Sequence, residues 1–254
     1  MNYARAAAAS LRTLTEHAPR VHCITNLAAS AYTANLLLAV GAIPSLSLSP
    51  TELASFVGRA DGLCINLGTL DEQRRQAIGL ALETAAIYGK PWVLDPVLVD
   101  VSPERCRYAQ TLLAQGPTII RGNRAEIEAL AEREEQAAEQ LAIKCNAVVA
   151  QTGSVDLITD GYRRIEIANG HPLMSRVTGL GCAGSALIAA FLAVVEDGYA
   201  AATQALLSLG VAGEQAALQV TGPGSFQWAI LDELYRLDES LLEQQGKVRE
   251  IALG

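Results

Sequence analysis

Short apolar runs alternate with longer helix-like segments along nearly the whole chain, and this alternation most constrains the fold. Gly62–Asn66 has the length and apolar character of a buried strand, whereas Asp71–Tyr88 has the length of a helix and is followed by Gly89, a typical C-cap. Strands that alternate with helices form βαβ units, and the strands of such units run parallel. The pattern therefore predicts an α/β protein with a mainly parallel central sheet flanked by helices.

Turn residues divide the chain into predicted elements of ordinary length. The predicted strands are Val21–Thr25, Pro44–Leu48, Gly62–Asn66, Trp92–Leu94, Thr118–Ile120 and Ala147–Ala150, followed by a hairpin of Val155–Thr159 and Arg163–Ile167. The charged segment Arg124–Lys144 is expected to be helical, with one solvated face. Because no repeat, low-complexity tract or linker interrupts the pattern, residues 1–254 are predicted to form a single domain.

Charge, hydropathy and cysteine content exclude several classes of function. The formal net charge is −8 and no cluster of Lys and Arg occurs, so binding to nucleic acid is not expected. No stretch approaches the roughly 20 apolar residues that span a membrane, and the N-terminus lacks the apolar core of a secretory signal. The five cysteines lie far apart without a CxxC pair, as in a protein with reduced thiols. These features predict a cytoplasmic protein.

Polar and glycine residues follow the predicted strands at one point after another. In open α/β sheets, ligands bind beyond the carboxyl ends of the strands, where such residues would meet. A purely structural account accepts almost any turn-forming residue at one of these ends, but six in succession favour a binding site. The residues concerned are Asn26, Asn66–Gly68, Asp95-Pro96, Arg121–Asn123, Thr152-Gly153 and Thr178-Gly179.

The sharpest local feature is the octet Val177–Gly184, which leads directly into an apolar helix. Gly179 and Gly181 allow the backbone to approach a ligand, and the first free N–H groups of the helix, aided by its dipole, can bind an anion. A phosphoryl group in transfer would be stabilised there. The alternative is a plain loop-to-helix turn in which glycines supply positive φ.

Cys182 is predicted at or next to the start of that helix. The helix dipole would lower the pKa of its thiol, and a thiolate could accept the proton of a substrate alcohol. The alternative is a small cysteine of the core.

Two carboxylates and one arginine complete the candidates read from the residues themselves. Asp95 and Glu126 could hold Mg²⁺ through water, because Mg²⁺ favours one or two carboxylates together with phosphate oxygens. Glu126 could equally serve only the dipole of its helix. Arg121 could contact phosphate, or it could be a surface residue. The three histidines have the spacing of neither a metal site nor a catalytic triad, and structural roles are expected for them.

Together these motifs resemble those of the hydroxyethylthiazole kinase family, which belongs to the ribokinase-like enzymes. They keep the family's order and span nearly the whole chain, and the TGxGC pattern has Cys182 where other ribokinase-like enzymes place Asp. The matching segments are VHCITN (Val21–Asn26), YTANLLLAVGAIP (Tyr32–Pro44), INLGTL (Ile65–Leu70), Asp95-Pro96, RGNRAEI (Arg121–Ile127), QTGSVDLITDG (Gln151–Gly161), NGHPLMSRVTGLGC (Asn169–Cys182) and GPGSF (Gly222–Phe226).

The resemblance implies an ATP- and Mg²⁺-dependent kinase of thiamine salvage, which phosphorylates the hydroxyl of 4-methyl-5-(2-hydroxyethyl)thiazole. It also implies a ribokinase-like fold and a homotrimer with active sites between subunits. Each candidate residue takes a role by resemblance. Arg121, Thr152 and Asn123 would bind ATP, Asp95 and Glu126 would organise Mg²⁺ and phosphates, Gly179 and Gly181 would form the anion hole, Cys182 would lie beside the reacting hydroxyl, and Asn26, Leu46, Gly68 and Gly179 would line the thiazole site.

Several positions depart from the family pattern. Leu98-Val99-Asp100 stands where the family has a glycine-rich stretch, Leu46 replaces the usual Met, and Ala31-Tyr32 replaces Asn-Phe. The segment between Ala131 and Cys145 is also shorter than in the family. Two alternatives therefore stay open: a kinase for another small heterocyclic alcohol, and a protein that binds thiazole or nucleotide without turnover.

Overall fold

A central sheet organises the protein, whose computed structural model describes residues 2–252. Its strands are β1 (Arg20–Ile24), β2 (Ile43–Ser45), β3 (Gly62–Asn66), β4 (Trp92–Asp95), β5 (Ile119–Asn123), β6 (Val148–Thr152), β7 (Asp156–Thr159), β8 (Arg164–Ile167) and β9 (Val248–Ile251). The order across the sheet is β2-β1-β3-β4-β5-β6-β7-β8-β9. All pairs from β2 to β6 are parallel, and those from β6 to β9 are antiparallel. The predicted mainly parallel α/β architecture is confirmed.

Helices cover both faces of the sheet. They are α1 (Tyr3–His17), α2 (Ser30–Ala39), α3 (Pro50–Arg59), α4 (Glu72–Tyr88), α5 (Pro103–Leu113), α6 (Arg124–Ala131), α7 (Ala137–Cys145), α8 (Leu180–Leu192), α9 (Gly198–Gln219), α10 (Pro223–Arg236) and α11 (Glu239–Gln245), with a 3-10 helix at Pro172–Arg176. Helices α3 to α7 pack on one face, and α1, α2 and α8 to α11 pack on the other. In residues 2–252, none of these helices combines the length and the apolar character needed to cross a membrane.

Strand alternation divides the apolar core into two layers. In β1, Val21 and Cys23 contribute to the layer beneath α8 and α9, whereas Ile24 contributes to the opposite layer. This is the period of two expected of a strand buried on both sides. Full burial of a side chain of this kind stabilises the fold by about 1.5–3 kcal/mol, so both layers are needed to hold the sheet.

Helix α8 lies directly on β3, with almost no space between the two backbones. A Cβ atom at Gly62 would lie 2.5 Å from the carbonyl oxygen of Ala189. Ala186, Ala189 and Ala190 are fully buried in the same helix. Small side chains therefore set how closely α8 approaches the sheet, and with it the position of the α8 N-terminus.

One predicted helix is wrong: Arg124–Lys144 forms two helices, α6 and α7. The chain leaves α6 at Glu132 and enters α7 at Gln136, and both residues have positive φ, 55° and 50°. Two left-handed residues this close cannot continue an α-helix. The sequence contains no glycine or proline there to mark the break.

Candidate active site

The carboxyl ends of the parallel strands bring the predicted site residues to one edge of the sheet. Asn66 and Asp95 are the last residues of β3 and β4 and are paired in register. Asn123 and Thr152 are the last residues of β5 and β6 and are also paired. Asn26 follows β1 by two residues. Of the predicted strand ends, only Thr178-Gly179 follows no strand, because it connects the 3-10 helix to α8.

A chain of buried side-chain hydrogen bonds links three of these strand ends to α8. The amide Nδ2 of Asn26 donates to Cys182 Sγ and to Asn66 Oδ1, both at 3.1 Å. Asn66 Nδ2 donates to Asp95 Oδ2 at 2.6 Å, and Ser185 Oγ donates to the same oxygen at 2.8 Å. Asn66, Asp95 and Ser185 are fully buried. The geometry joins Cys182 to Asp95 through two asparagines.

Burial dominates the electrostatics of Asp95. The pKa of its carboxyl group is raised to about 6, chiefly by loss of water and to a smaller extent by the nearby charge of Glu126. The charge of Arg121 and the hydrogen bonds from Ser185 and Asn66 lower the pKa and oppose burial. Asp95 Oδ1 is buried and has no hydrogen-bond partner. An acceptor of this kind is costly unless a ligand or water satisfies it.

The predicted low pKa of Cys182 is wrong. The residue is the third of α8, as expected, but burial and the charge of Asp95 raise the pKa of its thiol to about 11. Hydrogen bonds from Asn66 and Asn26 and the charge of Arg121 lower the pKa by less. Desolvation of the charged form therefore dominates the pKa of this thiol and favours its neutral form at pH 7.

The start of α8 is shaped for a close approach by a ligand. Gly179 is the N-cap residue with φ of 83°, and a Cβ atom there would lie 3.0 Å from Ala29 Cα. The amides of Leu180 and Ala183 donate to Val177 and Gly179, whereas those of Gly181 and Cys182 have no backbone acceptor in residues 2–252. Two free amides at a helix N-terminus form a site for an anion.

The residues predicted to bind ATP lie on a more open side of the candidate site. Arg121 in β5 is half-buried, and its Nη1 atom lies 3.2 Å from where a Cβ atom of Gly181 would be. Thr152 Oγ1 donates to the carbonyl oxygen of Gly122 at 3.4 Å. The side chain of Asn123 is exposed, and its Oδ1 accepts from the amide of Glu126 as the cap of α6. The guanidinium thus stands beside the free amides of α8.

Glu126 has a structural role at the start of α6, whether it helps to organise Mg²⁺ or serves only the dipole of its helix. Its Oε2 accepts from the amide of Asn123 and its Oε1 from the amide of Leu98, both at 2.8 Å. It completes a capping box and also holds the Leu98–Asp100 segment, in which Leu98 has φ of 60° and Val99 is buried. Within residues 2–252, no group of three His, Cys, Asp or Glu side chains is arranged to hold a metal.

The predicted thiazole residues lie at different depths. Asn26 is buried and packs against Gly68, where a Cβ atom would lie 2.7 Å from Asn26 Cβ. Leu46 is half-buried and packs on the core layer beneath α8. The histidines, for which structural roles are predicted, take no part in the hydrogen-bond chain of the site. His22, for example, is fully buried, contacts Ser45 Oγ at 2.8 Å and stacks on Phe56.

Sequence reasoning missed two residues of this site, Ser185 and Asp156, and gave Asn66 no specific role. Ser185 follows Cys182 by three positions, a helical spacing that places both on one face of α8. Asn66 was noted only as one of several turn residues. Asp156 accepts from the amide of Gly153 at 2.9 Å, and burial raises the pKa of its carboxyl group to about 6 while the charge of Arg121 lowers it. It begins the first antiparallel strand, at the same edge of the sheet.

Comparisons with known proteins identify the family and the fold of the chain. The model of the hydroxyethylthiazole kinase family matches residues 11–240. A hydroxyethylthiazole kinase of Granulibacter bethesdensis is 46% identical over 252 residues, 93% of this chain and 92% of the relative. The solved structure of a hydroxyethylthiazole kinase protein from Pyrococcus horikoshii superposes with a TM-score of 0.92 at 39% identity, covering 96% and 98% of the two chains. A ribokinase-like superfamily protein from Enterococcus faecalis, 15% identical, has a TM-score of 0.66 with 89% of each chain covered, which confirms the predicted fold.

Proposed function

The chain belongs to the hydroxyethylthiazole kinase family, and on that premise we propose that it transfers the γ-phosphoryl group of ATP to the hydroxyl of 4-methyl-5-(2-hydroxyethyl)thiazole. The observation that carries the proposal is the start of α8, where two free amides, Arg121 and the Cys182–Asp95 hydrogen-bond chain converge. This arrangement offers positive charge and amide donors beside a chain of buried polar side chains. Phosphoryl transfer needs such positioning and charge stabilisation above all.

In this proposal, the amides of Gly181 and Cys182 stabilise the negative charge of the phosphoryl group during transfer. Gly179 and Gly181 are required because side chains there would meet Ala29 and Arg121. Arg121 binds the phosphates of ATP, and Thr152 and Asn123 border the nucleotide on the neighbouring strand ends. In this arrangement, the α8 amides lie between the site proposed for the alcohol and the site proposed for the nucleotide.

Cys182 is placed beside the reacting hydroxyl as a neutral group. A thiol with a pKa near 11 is not ionised at pH 7, so no preformed thiolate removes the proton of the alcohol. In a loose transition state the attacking hydroxyl keeps its proton until late in the transfer. We therefore assign Cys182 to orienting the alcohol. Asn26, Leu46 and Gly68 complete the proposed thiazole site, and Gly179 borders it.

The carboxylates fit a Mg²⁺–nucleotide complex better than a metal held by protein alone. Asp95 offers a buried oxygen without a partner, whereas both oxygens of Glu126 already accept amides. Mg²⁺ commonly binds one or two carboxylates together with waters and phosphates. We propose that Asp95 holds the ion and that Glu126 acts through water. The bound ion would neutralise phosphate charge.

The setting of the reaction follows the family as well. We propose that residues 1–254 act as a single domain in thiamine salvage in the cytoplasm, without nucleic acid as a partner. We also propose a homotrimer with active sites between subunits. Light scattering on the purified protein would give the mass of the assembly, and a monomer at micromolar concentration would contradict the trimer.

The experiment that tests the reaction follows ADP release from Mg²⁺-ATP with and without the thiazole alcohol. We expect ADP to form only when the thiazole is present. Thermal stabilisation by the thiazole without ADP would instead identify a binding protein. If neither occurs, other small heterocyclic alcohols become the substrates to screen, and Leu46 becomes the first residue to exchange for Met.

A further inference from the structure

The two oxygens of Asp95 have opposite surroundings. Oδ2 accepts two hydrogen bonds, from Asn66 at 2.6 Å and from Ser185 at 2.8 Å. Oδ1 accepts none, although the whole residue is buried. Two donors on one oxygen fix the rotation of a carboxylate and leave the other oxygen as its only unused acceptor. A buried acceptor without a partner indicates a ligand that satisfies it.

Both donors are themselves held in place. Asn66 Oδ1 accepts from the amide of Gly68 at 3.0 Å and from Asn26 Nδ2, which leaves Asn66 Nδ2 as the group that faces Asp95. Ser185 belongs to α8, which is seated on the sheet. Asp95 is therefore oriented by one strand and one helix at once.

We propose that Ser185 and Asn66 are positioning residues that hold Asp95 through Oδ2 and reserve Oδ1 for the cation of the metal–nucleotide complex. The inference rests on the proposed kinase function, and it assigns to these two residues a part in metal affinity. Neither residue needs to touch the thiazole, because each acts through Asp95.

The chain offers a matched control for each residue. Ser208 in α9 is fully buried, like Ser185, and its Oγ makes one hydrogen bond, to the carbonyl oxygen of Gln204. Asn169 is buried, and its Nδ2 donates to Glu214 and to the carbonyl oxygen of Gln245. Ser208→Ala and Asn169→Ala therefore remove buried hydrogen bonds of a similar kind that do not reach Asp95.

The test measures Mn²⁺ as a probe in place of Mg²⁺, by electron paramagnetic resonance. Mn²⁺ is titrated into the full-length protein with a non-hydrolysable ATP analogue, in the absence of thiazole. Because a hydrogen bond to a charged group contributes substantially to its orientation, we expect Ser185→Ala to weaken Mn²⁺ binding about five- to twentyfold. Ser208→Ala should remain within about twofold of the unchanged protein, even if both variants unfold at a lower temperature.

Kinetics provide the second readout. Ser185→Ala should raise the Mg²⁺ concentration needed for half-maximal rate and leave the KM for the thiazole within about twofold. If Ser185→Ala does not fold, Asn66→Ala is measured against Asn169→Ala in the same way. Equal Mn²⁺ affinities in Ser185→Ala and Ser208→Ala would overturn the inference. Failure of the kinase proposal is distinct, because the unchanged protein would then release no thiazole-dependent ADP.

Discussion

The two halves of the candidate site are built differently. The ends of β1, β3 and β4 carry Asn26, Asn66 and Asp95, which are buried and joined to α8 by hydrogen bonds. The ends of β5 and β6 carry half-buried or exposed side chains, namely Arg121, Asn123 and Thr152. A small alcohol must be held in one orientation, whereas a nucleotide has many atoms by which it can be bound. In the proposed division of the site, the closed half would orient the alcohol and the open half would admit the nucleotide.

The boundary between the halves is the start of α8, and Gly179→Ala should give the largest effect. The new Cβ atom would meet Ala29 at 3.0 Å, in a backbone with φ of 83°. We expect kcat to fall by at least about 100-fold, because the anion site would move relative to both substrates. Stopped assays of ADP release on the folded variant measure this.

Gly116→Ala separates backbone strain from position. Gly116 has φ of 72°, but a Cβ atom there would meet nothing within 4 Å. It should lose a similar amount of stability and keep its turnover. Equal activity in Gly179→Ala and Gly116→Ala would contradict the assignment of Gly179 to the anion site.

Within the open half, Arg121→Ala should raise the KM for ATP about 10- to 100-fold and leave thiazole binding nearly unchanged. The permanent charge beside the free amides would be lost. Arg107→Ala, at an exposed position of α5, is the control for loss of one positive charge. If Arg121→Ala raised the KM for thiazole as much as the KM for ATP, the proposed division of the site into two halves would be wrong.

Within the closed half, Cys182→Ala should lower kcat about tenfold and leave a measurable kinase, because orientation rather than proton removal is lost. Cys145→Ala, in a half-buried helix end, is the control. A full rate in Cys182→Ala would exclude Cys182 from catalysis.

The raised pKa of the Cys182 thiol, a residue of the closed half, can be tested by following its alkylation as a function of pH. With a pKa of about 11, its alkylation by iodoacetamide should still rise between pH 9 and 10, where an ordinary thiol levels off. The rate difference between unchanged protein and Cys182→Ala isolates this residue. A plateau below pH 9 would show that the helix dipole outweighs burial after all.

The smallest effect on activity concerns His22, a residue of β1 that pairs with Ser45 of β2. Burial lowers the pKa of its imidazole to about 4, so the folded state binds fewer protons than the unfolded state between pH 6.5 and 4. The contribution of the neutral imidazole to the free energy of unfolding is complete above pH 6.5. It is lost as the pH falls toward 4, by up to about 2–3 kcal/mol. Urea unfolding of His22→Gln should show a flatter decline over this range, at unchanged kcat. Parallel curves for the two proteins would contradict this.

The sequence predicted those features that depend on local pattern. The end of β3 at Asn66 and the C-cap of α4 at Gly89 follow from turn and cap chemistry, whereas α8 begins at Leu180, slightly earlier than the predicted start near Cys182. The break between α6 and α7 was missed because Glu132 and Gln136 have no strong preference for the left-handed conformation they adopt.

The electrostatics of the site could not be predicted from pattern. The pKa of Cys182 depends on how completely Asn26, Asp95 and α8 exclude water, and that requires the strand order. The pairing of Asn66 with Ser185 across Asp95 likewise joins residues far apart in the chain. Helical spacing places Ser185 on the same face of α8 as Cys182, but it does not reveal that Ser185 donates a hydrogen bond to Asp95 at the end of β4.

The seating of α8 on β3 has a mechanical consequence. With Gly62 against the Ala189 carbonyl, the helix cannot slide or tilt toward the sheet without a steric clash. This contact therefore fixes the position of α8, and of the amides at its start, relative to β3. Any side chain at position 62 would therefore displace Cys182, Ser185 and the α8 amides together, because all of them belong to the same helix.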